Sequence, residues 1–234
     1  MMSLSRGPIR TIALFAVLVS MLNGAETEKI IQKARSYLGT EEALEAVRSV
    51  HFVGNLIMDN DDKGDIDIIF QKPYRQRIVA VGKQREITAL DDYEGWSRVE
   101  DLKDPNRWRM NLLSRDVIKR LRANTWENLS FFKGIERKGG RIEDLGTVEI
   151  SGRTAHKLSF IHETGSVFTR YFDQETGKLL LTETEQSGAI REEGEIIAGG
   201  VRFPKKIITV NKLEGGKERA VTIEFKSVTV NEAF

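Results

Sequence analysis

Apolar positions along this chain follow a helical period at first, then a period of two, broken once by a second helical stretch. Over 26–38, Ile30, Ile31, Ala34 and Leu38 recur near helical spacing with Gly39 as a stop, which predicts a first helix. Thr40 stands where it caps a short second helix through Ala43, Leu44 and Val47. From Val50 onward the period shortens. Strands are predicted at 50–58, 66–70, 76–81, 85–90 and 96–99, with Asn, Asp and Gly residues marking turns at 59–64 and 91–95. A longer helix is predicted over 114–132, where Val117, Ile118 and Leu121 form a stripe that Trp126, Leu129 and Phe132 continue. Strands resume at 145–151, 154–162, 166–172, 178–185, 191–198, 205–213 and 220–230, with turns at 173–177 and 214–216. No linker or repeat divides the strands on either side of that helix, so 26–234 reads as one antiparallel α+β domain.

The widths of the layers say more. About eleven strands at roughly 4.8 Å spacing make a sheet about 50 Å wide, whereas three helices of about 10 Å cover about 30 Å of it. A sheet of that width curls, and helices across its concave mouth would leave part of an apolar face uncovered. The predicted architecture is therefore a curled antiparallel sheet, a half-open β-barrel with helices over the concave face. Strands apolar on both parities, at 78–81, 179–181 and 207–210, make the concave side unusually apolar, a natural site for a lipid. By strand parity the candidate lining is Phe52, Leu56, Phe70, Ile78 and Phe160, with Trp108 and Trp126 at the lid. The alternative reading is that these side chains, with Phe225, pack as an ordinary core.

Composition adds a compartment and removes several functions. Residues 1–25 carry Arg6 and Arg10, no acidic residue, an apolar run over 11–22, and Gly24 and Ala25 at its end. This is the layout of a cleavable export signal, and the run is shorter than the roughly 20 residues of a membrane span. The expectation is a protein exported to the periplasm and soluble after cleavage. There is no cysteine, so the core has no covalent staples and no site for a lipid anchor after the signal. Of 36 Lys and Arg against 35 Asp and Glu, the signal removes two basic residues, and the near-neutral remainder gives no global field for nucleic acid.

Catalytic or metal-binding patterns are sparse. His51, His156 and His162 are the three histidines. His156 and His162 share a face of one predicted strand but stand about 20 Å apart, too far for one ion. No His-Glu-x-x-His pattern, nucleophile elbow or phosphate-binding glycine loop appears. The expectation is a binding protein, not an enzyme, with no cofactor and no metal. Arg107, Arg109, Arg115, Lys119, Arg120 and Arg122 lie against a single Asp116, interleaved with Trp108, Met110, Leu112 and Leu113. That composition suits anionic headgroups or an acidic partner, and equally a solvated lid face whose aliphatic stems cover the core.

Four local stretches carry a family resemblance: Lys72-Pro73, the turn Tyr93-Glu94-Gly95-Trp96, the strand and turn from Tyr171 to Lys178, and Gly200-Val201-Arg202-Phe203-Pro204. In their order and spacing the chain resembles the LolA-like periplasmic lipoprotein carriers. The resemblance implies outer-membrane lipoprotein sorting, with acyl chains of a lipid or lipoprotein as cargo, membrane-bound donor and acceptor proteins as partners, and a monomeric carrier. In that family an arginine before the equivalent proline helps to hold the helical lid shut, and here Lys72 occupies the position. An ammonium lacks the planar fork of a guanidinium.

Overall fold

The computed structural model describes residues 10–58, 62–104, 106–185, 188–212 and 218–232. The start of the expected signal and most of the turns at 59–64 and 214–216 lie outside them. Helix α1 (Arg10–Leu38) contains the helix expected over 26–38 and joins it without a break to the segment before it. Helix α2 (Glu41–Ala46) begins where Thr40 Oγ1 accepts a hydrogen bond from the Ala43 amide, the expected cap.

Strands β1 (Ser49–Met58), β2 (Lys63–Gln71), β3 (Arg75–Val81), β4 (Gln84–Asp91), β5 (Glu94–Asp101) and β6 (Trp108–Leu112) then run as a meander to one edge of the sheet. Helix α3 (Arg115–Ser130) follows, capped at Ser114 and ended by Phe131 in the left-handed conformation. A 3-10 turn (Glu136–Lys138) leads into β7 (Arg141–Ile150) at the opposite edge. The chain returns through β8 (Arg153–Ile161), β9 (Val167–Asp173), β10 (Leu179–Thr184), β11 (Ala189–Ala198), β12 (Val201–Lys212) and β13 (Glu218–Val230), which pairs with β1. The result is one 13-stranded antiparallel sheet with edges at β6 and β7, two strands wider than the roughly eleven the pattern predicts.

The missed element that matters is β6. Its sequence Trp-Arg-Met-Asn-Leu alternates, yet the dense arginines group it with the basic segment that runs on to Arg122. Edge strands tolerate such charge because only one side is paired.

Antiparallel register fixes which side chains share a face. One cross-strand row on the inner face runs Val228, Phe52, Ile68, Ile78, and the next but one runs Ile207, Ile223, Leu56. Gly54 lies between them, at a bulge where β13 comes so close that a Cβ would stand 2.3 Å from the Glu224 carbonyl oxygen. A bulge increases local twist, and this one sits at the joint between the two halves of the sheet. Helices cover the inner face in two places. α3 packs over β2, β3 and β4, and α1 crosses β12 and β7. Where α1 passes the β9–β10 turn, Gly177 (φ +77°) would set a Cβ 2.7 Å from the Lys33 carbonyl carbon, so only glycine admits the helix there. Two core clusters result. Phe52, Ile68, Phe70, Leu129, Phe131, Phe203 and Phe225 gather under α2 and the end of α3, while Ile30, Ile31, Ala34, Phe132, Leu158, Phe160 and Phe172 gather under α1.

Candidate functional site

Helix α3 lies over β2, β3 and β4 on the inner face. α3 is held at three points. Near its start, the Arg122 guanidinium lies 4.0 Å and 3.7 Å from the ring centres of Tyr74 and Tyr93 and pairs with Asp92. Along its buried face, Thr125 donates to Gln76 at 3.2 Å, and Glu127 meets both His162 at 2.6 Å and Arg170. Burial alone would raise the Glu127 carboxyl, but Arg170 and His162 outweigh it and hold the group below the ordinary carboxylate range. Arg170 in turn lies over the Phe160 and Phe132 rings at 4.8 and 5.0 Å.

The third point is the C-terminal end of α3. Arg35 of α1 donates to the Phe131 carbonyl at 2.7 Å and the Ser130 carbonyl at 3.2 Å, while its Nε and Nη2 grip Glu41 at 2.6 and 2.7 Å. The carboxyl of Glu41 is pulled down to about 2, chiefly by the Arg35 hydrogen bonds and against a smaller effect of burial. An arginine thus does hold the free carbonyls of the lid helix, but it comes from α1. Lys72, the residue the resemblance places in that role, is half-buried and makes no ion pair among the described residues. Its ammonium is pushed downward by burial and then by Arg48 and Arg35. Sequence reading missed Arg35 because it is one of several charged residues on an amphipathic helix, and nothing local marks it as the 3% exposed one.

The seven apolar candidates separate into four groups. Phe52 and Phe70 are buried, with Phe52 against Phe225, Phe203 and Phe70 at ring-centre distances of 4.8, 5.7 and 6.3 Å. Phe160 is buried in the other cluster, beside Phe132 and Phe172. Leu56 and Ile78 flank the first cluster and are only half-buried, together with Ile207 and Ile223. They form an apolar strip on the inner face, packed against the edge of the aromatic floor. At its C-terminal side the same cross-strand row reaches Glu192, opposite Ile207, whose carboxyl is raised by burial despite Arg170 and Lys178.

The two tryptophans expected at the lid are split. Trp126, on α3, forms a wall of two surface clefts. Trp108 is a correction: it sits on edge strand β6, half exposed at 52%, with the Arg98 guanidinium 4.6 Å above its ring. Its register partner is Glu100, and Arg98, Met110 and Trp108 alternate to the outer face. The expectation set Trp108 at the lid, whereas β6 points it away from the inner face.

The basic candidates likewise disperse. Arg107 pairs with Asp101 at 3.8 Å and Arg109 lies on β6. Lys119 pairs with Asp116 at 3.9 Å. Arg115, Lys119 and Arg122 line a cleft of about 610 Å³ with Tyr74, Tyr93 and Trp126. Arg122, 13% exposed at its side chain, is a structural clamp and not a free contact. Among the described residues no helix is long and apolar enough to cross a membrane.

Solved structures of LolA-like proteins share this architecture. A LolA superfamily protein from Nitrosomonas europaea superposes with a TM-score of 0.55 at 11% identity, over 88% of this chain and 94% of that one. A putative outer membrane lipoprotein-sorting protein domain from Vibrio parahaemolyticus gives 0.54 at 8% identity, over 88% and 92%. A DUF1329 family protein from Desulfovibrio piger gives 0.54 at 7% identity, over 88% and 94%. No protein-family model matches the sequence, and no curated protein matches it. At these identities the likeness is one of fold, and at that level the resemblance read from the residues holds.

Proposed function

We propose that this protein is an exported binding protein that carries acyl chains, of a lipid or a lipoprotein, on the inner face of its sheet. The observation that carries the reading is the strip formed by Leu56, Ile78, Ile207 and Ile223, apolar, half-buried and continuous with the aromatic floor. Burial of an acyl chain contributes about 0.8 kcal/mol per methylene, so one chain laid along it offsets the ordering costs of binding. The fold shared with a lipoprotein-sorting domain fits this reading. Export to the periplasm, cleavage near residue 25 and delivery between membrane-bound partners belong to the same proposal.

The test is native mass spectrometry with lipid extraction on protein purified from its own host, beside a Leu56→Glu, Ile223→Glu variant. Acylated cargo in the parent and its loss from the folded variant is the expected result. A second reading, an envelope interaction module, draws on two observations. The Phe52, Phe203 and Phe225 rings fill the space under the helices, and Trp108, Met110 and Leu112 are exposed on edge strand β6. Cargo in neither sample, with both folded, selects it.

A further inference from the structure

A second feature lies on the helical side of the molecule, apart from the apolar strip. Between α2, the start of β3 and the end of α3 runs a cleft of about 580 Å³. Six cationic side chains line it, Arg35, Arg48, Lys72, Lys133, Arg137 and Lys138, against one carboxylate, Glu45. Its apolar walls are Leu44, Pro73, Trp126 and Leu129. For a chain of net charge +1 this is a strong local concentration of one sign, drawn from four separate stretches of sequence.

The internal carboxylates are already in use. Glu41, just outside the lining, takes Arg35 and Lys133, and Glu45 takes Lys133 at 3.4 Å. Arg48, Lys72 and Arg137 make no ion pair among the described residues, and Lys138 reaches only the faces of Trp126 and Tyr74, at 5.6 and 5.9 Å. Like charges so placed repel one another. The Lys72 ammonium is depressed first by burial, and the neighbouring Arg48 and Arg35 charges add to that effect. In the same wall the Trp126 indole Nε1 is buried without a hydrogen-bond partner, and a buried donor left unsatisfied is costly. With Glu41 and Glu45 committed to Arg35 and Lys133, the cleft presents Arg48, Lys72, Arg137 and Lys138 without an ion-pair partner among the described residues.

We infer that this cleft binds a phosphate-bearing anion, either a soluble phosphate ester or the headgroup of an anionic lipid. Phosphate fits better than a carboxylate because it offers three or four acceptor oxygens to donors on different walls, and guanidinium forks match it bidentately. The inference does not depend on the acyl-chain reading, since none of the four strip residues lines the cleft.

The experiment is titration of the full chain by calorimetry and by tryptophan emission, with glycerol 3-phosphate, with inorganic phosphate, with glutamate as the carboxylate control, and with vesicles of phosphatidylglycerol or phosphatidylcholine. Glycerol 3-phosphate is expected to bind and to perturb emission in the parent but not in Trp126→Phe. Lys72→Gln and Arg137→Gln should each weaken binding about tenfold, the effect of one charge-assisted contact, while Arg191→Gln, outside the cleft, should not. Binding to phosphatidylglycerol vesicles with the same sensitivity to these variants identifies a lipid headgroup; binding of the soluble esters alone identifies a soluble ligand. The inference is overturned if no phosphate compound binds, if glutamate binds as well, or if binding is unchanged in a folded Arg48→Gln, Lys72→Gln, Arg137→Gln triple variant.

Discussion

The inner face of the sheet has two ends that are built from the same residue types and finished differently. At the helical end, Phe52, Phe70, Phe203 and Phe225 are 2–7% exposed and locked ring to ring beneath α2 and the end of α3. Leu56, Ile207 and Ile223 continue the same face beyond the row of Phe52, Ile78 extends the row itself past Ile68, and all four remain half-buried. The difference is one of cover and not of composition. The helical residues Leu44, Leu129 and Phe131 pack into the cluster around Phe52, and β1 and β12 run on past it, so one strand contributes to the core at Phe52 and to a half-buried apolar floor at Leu56.

The largest effect expected from breaking this contrast is at the filled end. Phe52→Ala removes a ring that touches three others and should lower stability by about 3–5 kcal/mol, read as a shift in the urea midpoint. Next is the buried charge cluster that ties α3 to β8 and β9. Arg170→Met leaves Glu127 with His162 alone and should destabilise by about 3 kcal/mol, whereas the joint change Glu127→Leu, Arg170→Met should recover much of that loss. If the double variant is as unstable as the two singles added together, the pair is not acting as a pair.

A smaller effect belongs to the latch at the end of α3. Arg35→Lys keeps the charge but loses the fork that spans Glu41 and the Phe131 carbonyl, and should cost about 2 kcal/mol. The same latch sets a pH dependence. Glu41 has a folded pKa of about 2 against an ordinary 4.5. Its contribution is therefore complete above about pH 4.5 and is lost as pH falls toward 2. Urea midpoints should decline across that window, and less steeply in Glu41→Gln.

How far the sequence carried this picture depends on what kind of signal each feature has. Period-two alternation located most of the strands, and Ser114 and Thr40 marked helix starts that the structure keeps, because these are local signals. β6 escaped because Arg109 and Asn111 share it with Trp108 and Met110, and edge position, which makes that mixture tolerable, is a property of the whole sheet. Trp108 went to the wrong face for the same reason. Parity correctly grouped Phe52, Leu56, Phe70 and Ile78 on one face, but whether a position is roofed depends on where helices distant in sequence come to rest. Arg35 and the six-cation cleft were invisible on the same grounds. Their members come from α1, the start of β1, the β2–β3 turn and the stretch after α3, and meet only in the fold.

The smallest effect is the one that sharpens the contrast most. Leu56→Ala deletes a side chain that is already part-exposed, so both the transfer term and the cavity left behind are reduced relative to a fully buried leucine. A cost of about 1 kcal/mol is expected, a small fraction of that for Phe52→Ala. Binding should rank the two positions the other way. A fluorescent fatty acid, displaced by unlabelled oleate, should lose affinity in Leu56→Ala by roughly three- to tenfold, since a lost contact of about 1 kcal/mol per partner now falls on the complex. In folded Phe52→Ala affinity should hold or rise as the floor loosens. Equal costs in stability at both positions would make the strip an ordinary extension of the core. Equal and unchanged affinities would place the acyl chain somewhere other than on this floor.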